Sequence, residues 1–328
     1  MRYVVFKGTA GWGDRLQCLL MAIRYAKATG RYLVMDWRDI EWAHNGIENF
    51  DDYLHLSSQT DQVKTMDFRA FLNIYQNTDL RQSTLPKVWR HQMVRHEFKD
   101  WLYMPLFCLP DHGKAIDDIA SFRREDFEED VVVYAGTGFR SFAYADFGCI
   151  TLNRWVSEEI KQYAKQQNLA TKAYDVIHLR GGSKKWAGGH VALKSLAQQI
   201  DTQFPDLNVY FKTVFAKYQE LKAKNPEERR LCIVSDSKWL AEQWIATYKI
   251  GEYLDHSFKN GMEGSGIHEA NEVALKARGS SKYQVNKESL RDFAVMLNAR
   301  FVAYDGVSLF SALSNSCAGT ANDSWKFN

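Results

Sequence analysis

Twice along this chain a short apolar run breaks off at a polar, glycine-bearing turn, and a helical pattern follows. The first run is Tyr3 to Phe6, with Gly8 to Gly13 as its turn. Asp14 opens the next segment, in which Leu16, Leu19, Leu20, Ile23 and Ala26 recur at helical spacing until Gly30, a residue suited to a left-handed C-cap. Tyr32 to Met35 reads as the next strand and ends at Asp36, Arg38 and Asp39. The second start is Tyr174 to Leu179, running into Arg180-Gly181-Gly182-Ser183-Lys184-Lys185. A strand that returns parallel to its neighbour needs a crossover helix, so alternation of this kind predicts an α/β fold with parallel sheets. Two such starts in 328 residues predict two Rossmann-like domains, residues 1–160 and 161–328.

The remaining segments fit that plan. Val131 to Tyr134 reads as the last strand of the first half, and Arg154 to Gln167 as a helix leading into the second. Leu207 to Ala223 is a helix. Leu231 to Val234 is a strand ending at Ser235-Asp236-Ser237, with a helix from Lys238. Asn286 is placed to cap a helix carrying Leu290, Phe293, Ala294 and Leu297, Phe301 to Tyr304 is a strand, and Ser308 caps a final helix. Residues 41–128 are rich in aromatics without a clean period, and helices and loops are expected there.

Composition excludes several classes of function. The formal net charge is +2, and the densest charge cluster is Glu227-Glu228-Arg229-Arg230, so no basic face points to nucleic acid. The five cysteines, Cys18, Cys108, Cys149, Cys232 and Cys317, show neither CxxC nor Cys/His ligand spacing. Structural zinc and a disulfide framework are therefore not expected. No apolar run approaches the ~20 residues of a membrane span, and a cytoplasmic location is the expectation.

Four strand-to-helix turns carry residues suited to an anionic ligand. In His178-Leu179-Arg180-Gly181-Gly182-Ser183-Lys184-Lys185, a strand delivers an arginine to its carboxyl edge and the glycines let backbone amides come close. A guanidinium fork with lysine charge suits a pyrophosphate, although the spacing is not that of a Walker loop and a plain surface turn is the alternative. Asp236 can accept from a ribose hydroxyl or base N–H and Ser237 can donate to a phosphate, unless both serve only an N-cap. Asp305-Gly306-Val307-Ser308-Leu309-Phe310-Ser311 repeats the device, with the same capping alternative. Gly11-Trp12-Gly13-Asp14-Arg15-Leu16 has room for a sugar or phosphate, but Leu16 stands where a dinucleotide fingerprint needs its third glycine, which disfavours a nicotinamide-dependent oxidoreductase. In Gly264-Ser265-Gly266-Ile267-His268-Glu269, His268 or Glu269 can reach a sugar or base, or can be a solvated loop residue. Trp12, Trp37 and Trp42 either stack on sugars or fill the core.

The order Gly11-x-Gly13-Asp14-Arg15-Leu16, then Ala26-x-x-x-Gly30-Arg31-x-Leu33-Val34-x-Asp36-Trp37-Arg38, resembles the opening of the bacterial nodulation fucosyltransferases. These belong to the α-1,2/α-1,6/protein O-fucosyltransferase superfamily. His178-x-Arg180 resembles its first donor motif, Val234-Ser235-Asp236-Ser237 its second, and the Asp292 helix with Ser308-x-Phe310-Ser311 its third. Gly181 stands where many members carry a second arginine, and Ser183 or Lys184 where they carry an acid. The resemblance implies a GT-B fold, two Rossmann-like domains facing each other across a cleft, and an inverting transfer that needs no metal. The donor implied is GDP-fucose, held by the C-terminal domain, and the acceptor is a glycan hydroxyl.

Carried over by position, Arg180 would contact the β-phosphate, Asp236 and Ser237 would help hold the nucleotide, and Ser308, Phe310 and Ser311 would close the donor pocket. His178, Gly182, Lys184, His268, Gly11 and Gly13 complete the expected donor set, and residues 41–128 would surround the acceptor. Asp36, Trp37, Arg38 and Glu41 are the expected acceptor contacts. A base for the acceptor hydroxyl would come from Asp14, Asp36, Asp39 or Glu41, with Asp14 and Asp39 joining Arg180 as catalytic candidates. Two alternatives stay open: the same fold with a rhamnosyl or xylosyl donor, and a nucleotide-sugar or glycan-binding protein without catalysis.

Overall fold

Both apolar starts become strands covered on both faces. Tyr3–Lys7 (β1) and Tyr174–Leu179 (β8) are buried at every position, as parallel strands flanked by helices require. A computed structural model describes residues 1–7, 11–36, 50–56, 63–85, 87–91, 93, 127–134, 144–181, 205–254, 275–277 and 279–327. The chain forms two compact units, Met1–Asn153 and Arg154–Asn328. The division falls ahead of the expected 160/161 boundary, and the helix Arg154–Gln166 (α3, numbered below) goes to the second unit whole.

In the first unit, β1 is followed by helix α1 (Trp12–Thr29), β2 (Tyr32–Asp36), β3 (Leu54–Leu56), β4 (Thr65–Met66), α2 (Phe68–Gln76), β5 (Thr84–Leu85), β6 (Val131–Tyr134) and β7 (Ile150–Leu152). Gly30 ends α1 at φ 65°, the left-handed cap its position suggested. The five-stranded sheet runs β4-β2-β1-β6-β5 with every pairing parallel, while β3 and β7 form a separate antiparallel pair. The segment expected to be only helices and loops thus supplies both edge strands, β4 and β5. At two residues each they are too short to show a period. Asp67 caps α2 by accepting from the amides of Arg69 at 2.9 Å and Ala70 at 3.0 Å.

In the second unit, α3 precedes β8, α4 (Leu207–Lys224), β9 (Arg230–Ser235), α5 (Lys238–Tyr248), β10 (Glu252–Tyr253), α6 (Lys282–Asn298), β11 (Val302–Ala303) and α7 (Leu309–Cys317). The sheet order is β10-β9-β8-β11, again all parallel. Asn286, expected as a cap, lies inside α6 and is 1% exposed; the cap is Ser281, which accepts from the Gln284 amide at 3.2 Å. The helix starts earlier than its apolar positions because its first turns are buried through Lys282, Asn286, Glu288 and Ser289. Among the described residues, no helix is long and apolar enough to cross a membrane.

Both sheets are wound the same way. The chain steps outward from the first strand on one side (β1, β2, β4; β8, β9, β10), then crosses to its other side (the edge strand β5 and then β6; β11). Loops diverge where the order reverses, and ligands of open α/β sheets sit beyond the strands' carboxyl ends at that point. In the second unit this switch lies between β8 and β11.

Arg31 fixes the start of β2 to the segment before β6. It is 1% exposed, and its guanidinium donates to the carbonyls of Glu129 at 2.7 Å, Asp130 at 3.3 Å and Phe127 at 2.5 Å, while lying 5.7 Å from the Tyr25 ring centroid. Arg31→Met leaves three carbonyls without this donor, and urea unfolding is expected to show a loss of about 3 kcal/mol.

Candidate functional site

At Leu179 the chain leaves β8 and outruns the ladder, and side chains take over from strand partners. The Ser235 hydroxyl, at the end of β9, donates to the Leu179 carbonyl at 2.8 Å. The Tyr210 hydroxyl, on α4, accepts from the Arg180 amide at 2.8 Å. Asp236 receives both remaining groups: one carboxylate oxygen accepts from the Gly181 amide at 2.6 Å, and the other is ion-paired with the Arg180 guanidinium. The Arg180 side chain is 29% exposed over an Asp236 that is 7% exposed, so the guanidinium stands at the surface on a buried anion.

The opposite side of the switch is built from the β11–α7 turn. One Asp305 oxygen accepts from the amides of Val307 at 3.0 Å and Ser308 at 2.9 Å. Ser308 caps α7, accepting from the Ser311 amide at 3.4 Å. The Ser311 hydroxyl, fully buried, shares a 2.5 Å hydrogen bond with Nδ1 of His178. Burial, opposed by the Asp236 charge and aided by the Arg180 charge, holds the His178 pKa down at about 4. His178 is therefore neutral near pH 7. Phe310, half-buried, has its ring centroid 6.0 Å from His178 and 5.3 Å from Phe293.

These contacts gather His178, Arg180, Asp236, Ser308, Phe310 and Ser311 around the carboxyl edge of one sheet. Ser237 joins them as the cap of α5, fully buried and accepting from the Leu240 amide at 3.2 Å. A guanidinium fork and the starts of α5 and α7 share one edge. They favour a group carrying delocalised negative charge, such as linked phosphates. Gly182, Lys184, Lys185 and His268 lie outside the described residues.

In the first unit, Gly11 is the N-cap of α1 at φ −71° and ψ 169°, Gly13 is buried, and Asp14 is half-buried in the first turn. Trp12 is 3% exposed and meets Tyr53 edge-on at 5.7 Å, which makes it core rather than a sugar platform. Asp36, expected to meet an acceptor, is 3% exposed and ion-paired with Lys7, which is anchored by the Met93 carbonyl at 2.8 Å and lies 4.8 Å from the Phe68 ring centroid. Strand ends of opposite charge on β1 and β2 neutralise each other there. Trp37, Arg38, Asp39, Glu41 and Trp42 lie outside the described residues. A depression of about 820 Å³ at the amino edge of this sheet, lined by Tyr3, Ile74, Arg90 and Glu128 among others, contains none of the expected residues. Among the described residues, no group of three or more His, Cys, Asp or Glu side chains is arranged to hold a metal ion.

Sequence reasoning passed over Tyr210 altogether, and gave no role to Ser235 or Asp305. A tyrosine in the first turn of an amphipathic helix carries no mark that separates it from core.

No family model matches the sequence, and no curated protein matches it. Solved structures do match in fold. Fucosyltransferase NodZ from Bradyrhizobium superposes with a TM-score of 0.61 at 16% identity, over 95% of this chain and 91% of that one. NodZ alpha-1,6-fucosyltransferase soaked with GDP-fucose gives 0.62 at 17% identity, over 96% and 92%. The apo-form of POFUT1 gives 0.51 at 12%, over 96% and 94%. The chain has the GT-B fold of these glycosyltransferases.

The neutral His178 predicts an acid-side loss of stability. Between its unfolded value near 6.5 and its folded value of about 4, the unfolded chain takes up a proton that the folded chain refuses. Stability from this residue is whole above pH 6.5 and falls as the pH drops toward 4, by on the order of 3 kcal/mol. Thermal unfolding of His178→Asn across this range is expected to be flatter with pH than that of the wild type.

Proposed function

We propose that this chain is an inverting glycosyltransferase that moves L-fucose from GDP-fucose to a hydroxyl of a glycan acceptor without a metal ion. The observation that carries the reading is Arg180: partly exposed, delivered by β8 to the carboxyl edge at the switch point, and held over a buried Asp236. The shared fold supports it, since NodZ has been crystallised with GDP and soaked with GDP-fucose.

In this reaction the acceptor oxygen forms a bond to the anomeric carbon on the face opposite the diphosphate. The carbon–oxygen bond to the β-phosphate breaks, its electron pair stays on GDP, and the hydroxyl proton leaves to a base. The transition state is oxocarbenium-like, so the chemical demand falls on the leaving group. Arg180 meets the charge that grows on the diphosphate, Lys184 and Lys185 follow in sequence as further cations, and the starts of α5 and α7 add their dipoles. Neutral His178 adds no second positive charge beneath the arginine. Asp14, half-buried in the first turn of α1, is a candidate to take the proton, alongside Asp36, Asp39 and Glu41.

A donor panel tests the reading. GDP and GDP-fucose are expected to raise the thermal midpoint, by the equivalent of about 2.7 kcal/mol at a hundredfold excess over Kd, whereas UDP and UDP-sugars leave it unchanged. Arg180→Lys keeps a charge for Asp236 but loses the fork, and is expected to slow GDP-fucose turnover about 100-fold with little change in the midpoint. Preference for a UDP-sugar overturns the donor assignment, and loss of turnover in EDTA overturns the metal-free mechanism.

A further inference from the structure

Resting on the proposed donor site, we propose that Tyr210 is a positioning residue for it: its phenol holds the Arg180 backbone in register so that the guanidinium faces the departing diphosphate.

Arg180 is the first residue of its strand beyond the sheet. The β8–β9 ladder ends with Leu179 opposite Ser235, and the β8–β11 ladder ends earlier, at Ile177 opposite Ala303. Among the described strands, neither ladder extends to Arg180. The Tyr210 hydroxyl accepts from its amide at 2.8 Å. Tyr210 reaches it from the first turn of α4, whose start is set by Asp206 accepting from the Val209 amide at 2.9 Å. The ring is fully buried among the side chains under this sheet, including Ile177, Leu179 and Phe211. A buried ring on a capped helix has little freedom, so its hydroxyl is a fixed reference point rather than an adaptable contact.

The phenol's chemistry suits the task. Burial, with Asp305 nearby, holds its pKa well above the ordinary tyrosine value, so it stays a neutral acceptor throughout the working range. Its bond is to the arginine's backbone amide, while the guanidinium is engaged by Asp236. Asp236 alone leaves the turn free to pivot, because it grips Arg180 at the tip and Gly181 at the amide. The tyrosine supplies the third point, and three points define an orientation. A shift of about 1 Å in a charge-stabilising group can cost 10²-fold in rate while altering ground-state binding much less. Tyr210 is therefore expected to govern turnover more than donor affinity.

Tyr210→Phe tests this, since it keeps the ring and removes only the hydroxyl. Amide exchange at Arg180, GDP affinity by calorimetry and GDP-fucose turnover are measured in four proteins: wild type, Tyr210→Phe, Arg180→Ala and the double variant. The expected result is faster exchange at the Arg180 amide, a fall in kcat of about 10-fold or more, and a change in GDP affinity of less than about threefold. In the Arg180→Ala background the same substitution is expected to leave turnover unchanged, because it acts through the arginine. Unaltered kcat in Tyr210→Phe, or an equal fractional loss in both backgrounds, overturns the proposal. A wild type that neither binds GDP nor turns over GDP-fucose sinks the donor-site reading itself and this inference with it; intact GDP binding with an indifferent Tyr210→Phe sinks the inference alone.

Discussion

Everything at the carboxyl edge of the second sheet depends on one buried carboxylate. Asp236 is 7% exposed, a position an anion keeps only with compensating partners, and it has a guanidinium on one oxygen and a peptide N–H on the other. Both partners come from consecutive residues of one turn, so satisfying the charge also restrains the chain at Arg180 and Gly181, with the Tyr210 hydroxyl as its third anchor. The pair is not chiefly a source of stability, since an arginine 29% exposed is partly screened by solvent. It acts as a mount. A flexible side chain is fastened at its base, and its face is left toward solvent, where a ligand's negative charge can meet it.

The histidine two residues earlier completes that electrostatic design by being uncharged. A protonated imidazole below Arg180 would repel the guanidinium and compete for Asp236. Burial prevents this, and the hydrogen bond from Nδ1 to Ser311 gives the neutral ring a polar partner. The same bond ties β8 to α7 across the switch point, so the two sides of the candidate donor site are held in register by neutral atoms. The partly exposed Arg180 fork carries positive charge at this edge, and its field is not altered by titration of the neutral His178 beside it.

How much of this was legible in the sequence follows from how local each cause is. Strands β1, β6 and β8 were readable because burial on both faces demands continuous apolar runs, and Ser308 was readable as a cap because capping acts within one turn. Two-residue strands β4, β5 and β10 exist only because a neighbour in the sheet offers them a ladder, and no period can announce them. Asn286 misled because α6 buries polar residues in its first turns, where a pattern read from apolar positions starts too late. The pairing of Arg180 with Asp236 spans 56 positions, so the sequence offered both residues as ligand contacts without indicating that one holds the other.

That pairing changes the role of the polar residues around it. Read along the chain, Ser237, Ser308 and Asp236 were each a possible direct contact for a nucleotide. In the folded unit Ser237 and Ser308 accept from the first turns of α5 and α7, Asp305 secures the amides of Val307 and Ser308, and Asp236 is engaged by Arg180 and Gly181. Hydroxyls and carboxylates engaged in this way build the edge more than they decorate it. The proposed attraction for a diphosphate includes what they support, the Arg180 fork and the dipoles of two capped helices. An anion site of this kind tolerates variation in the groups that touch the ligand far less than its short list of contacts suggests, because each contact rests on a side chain from another element.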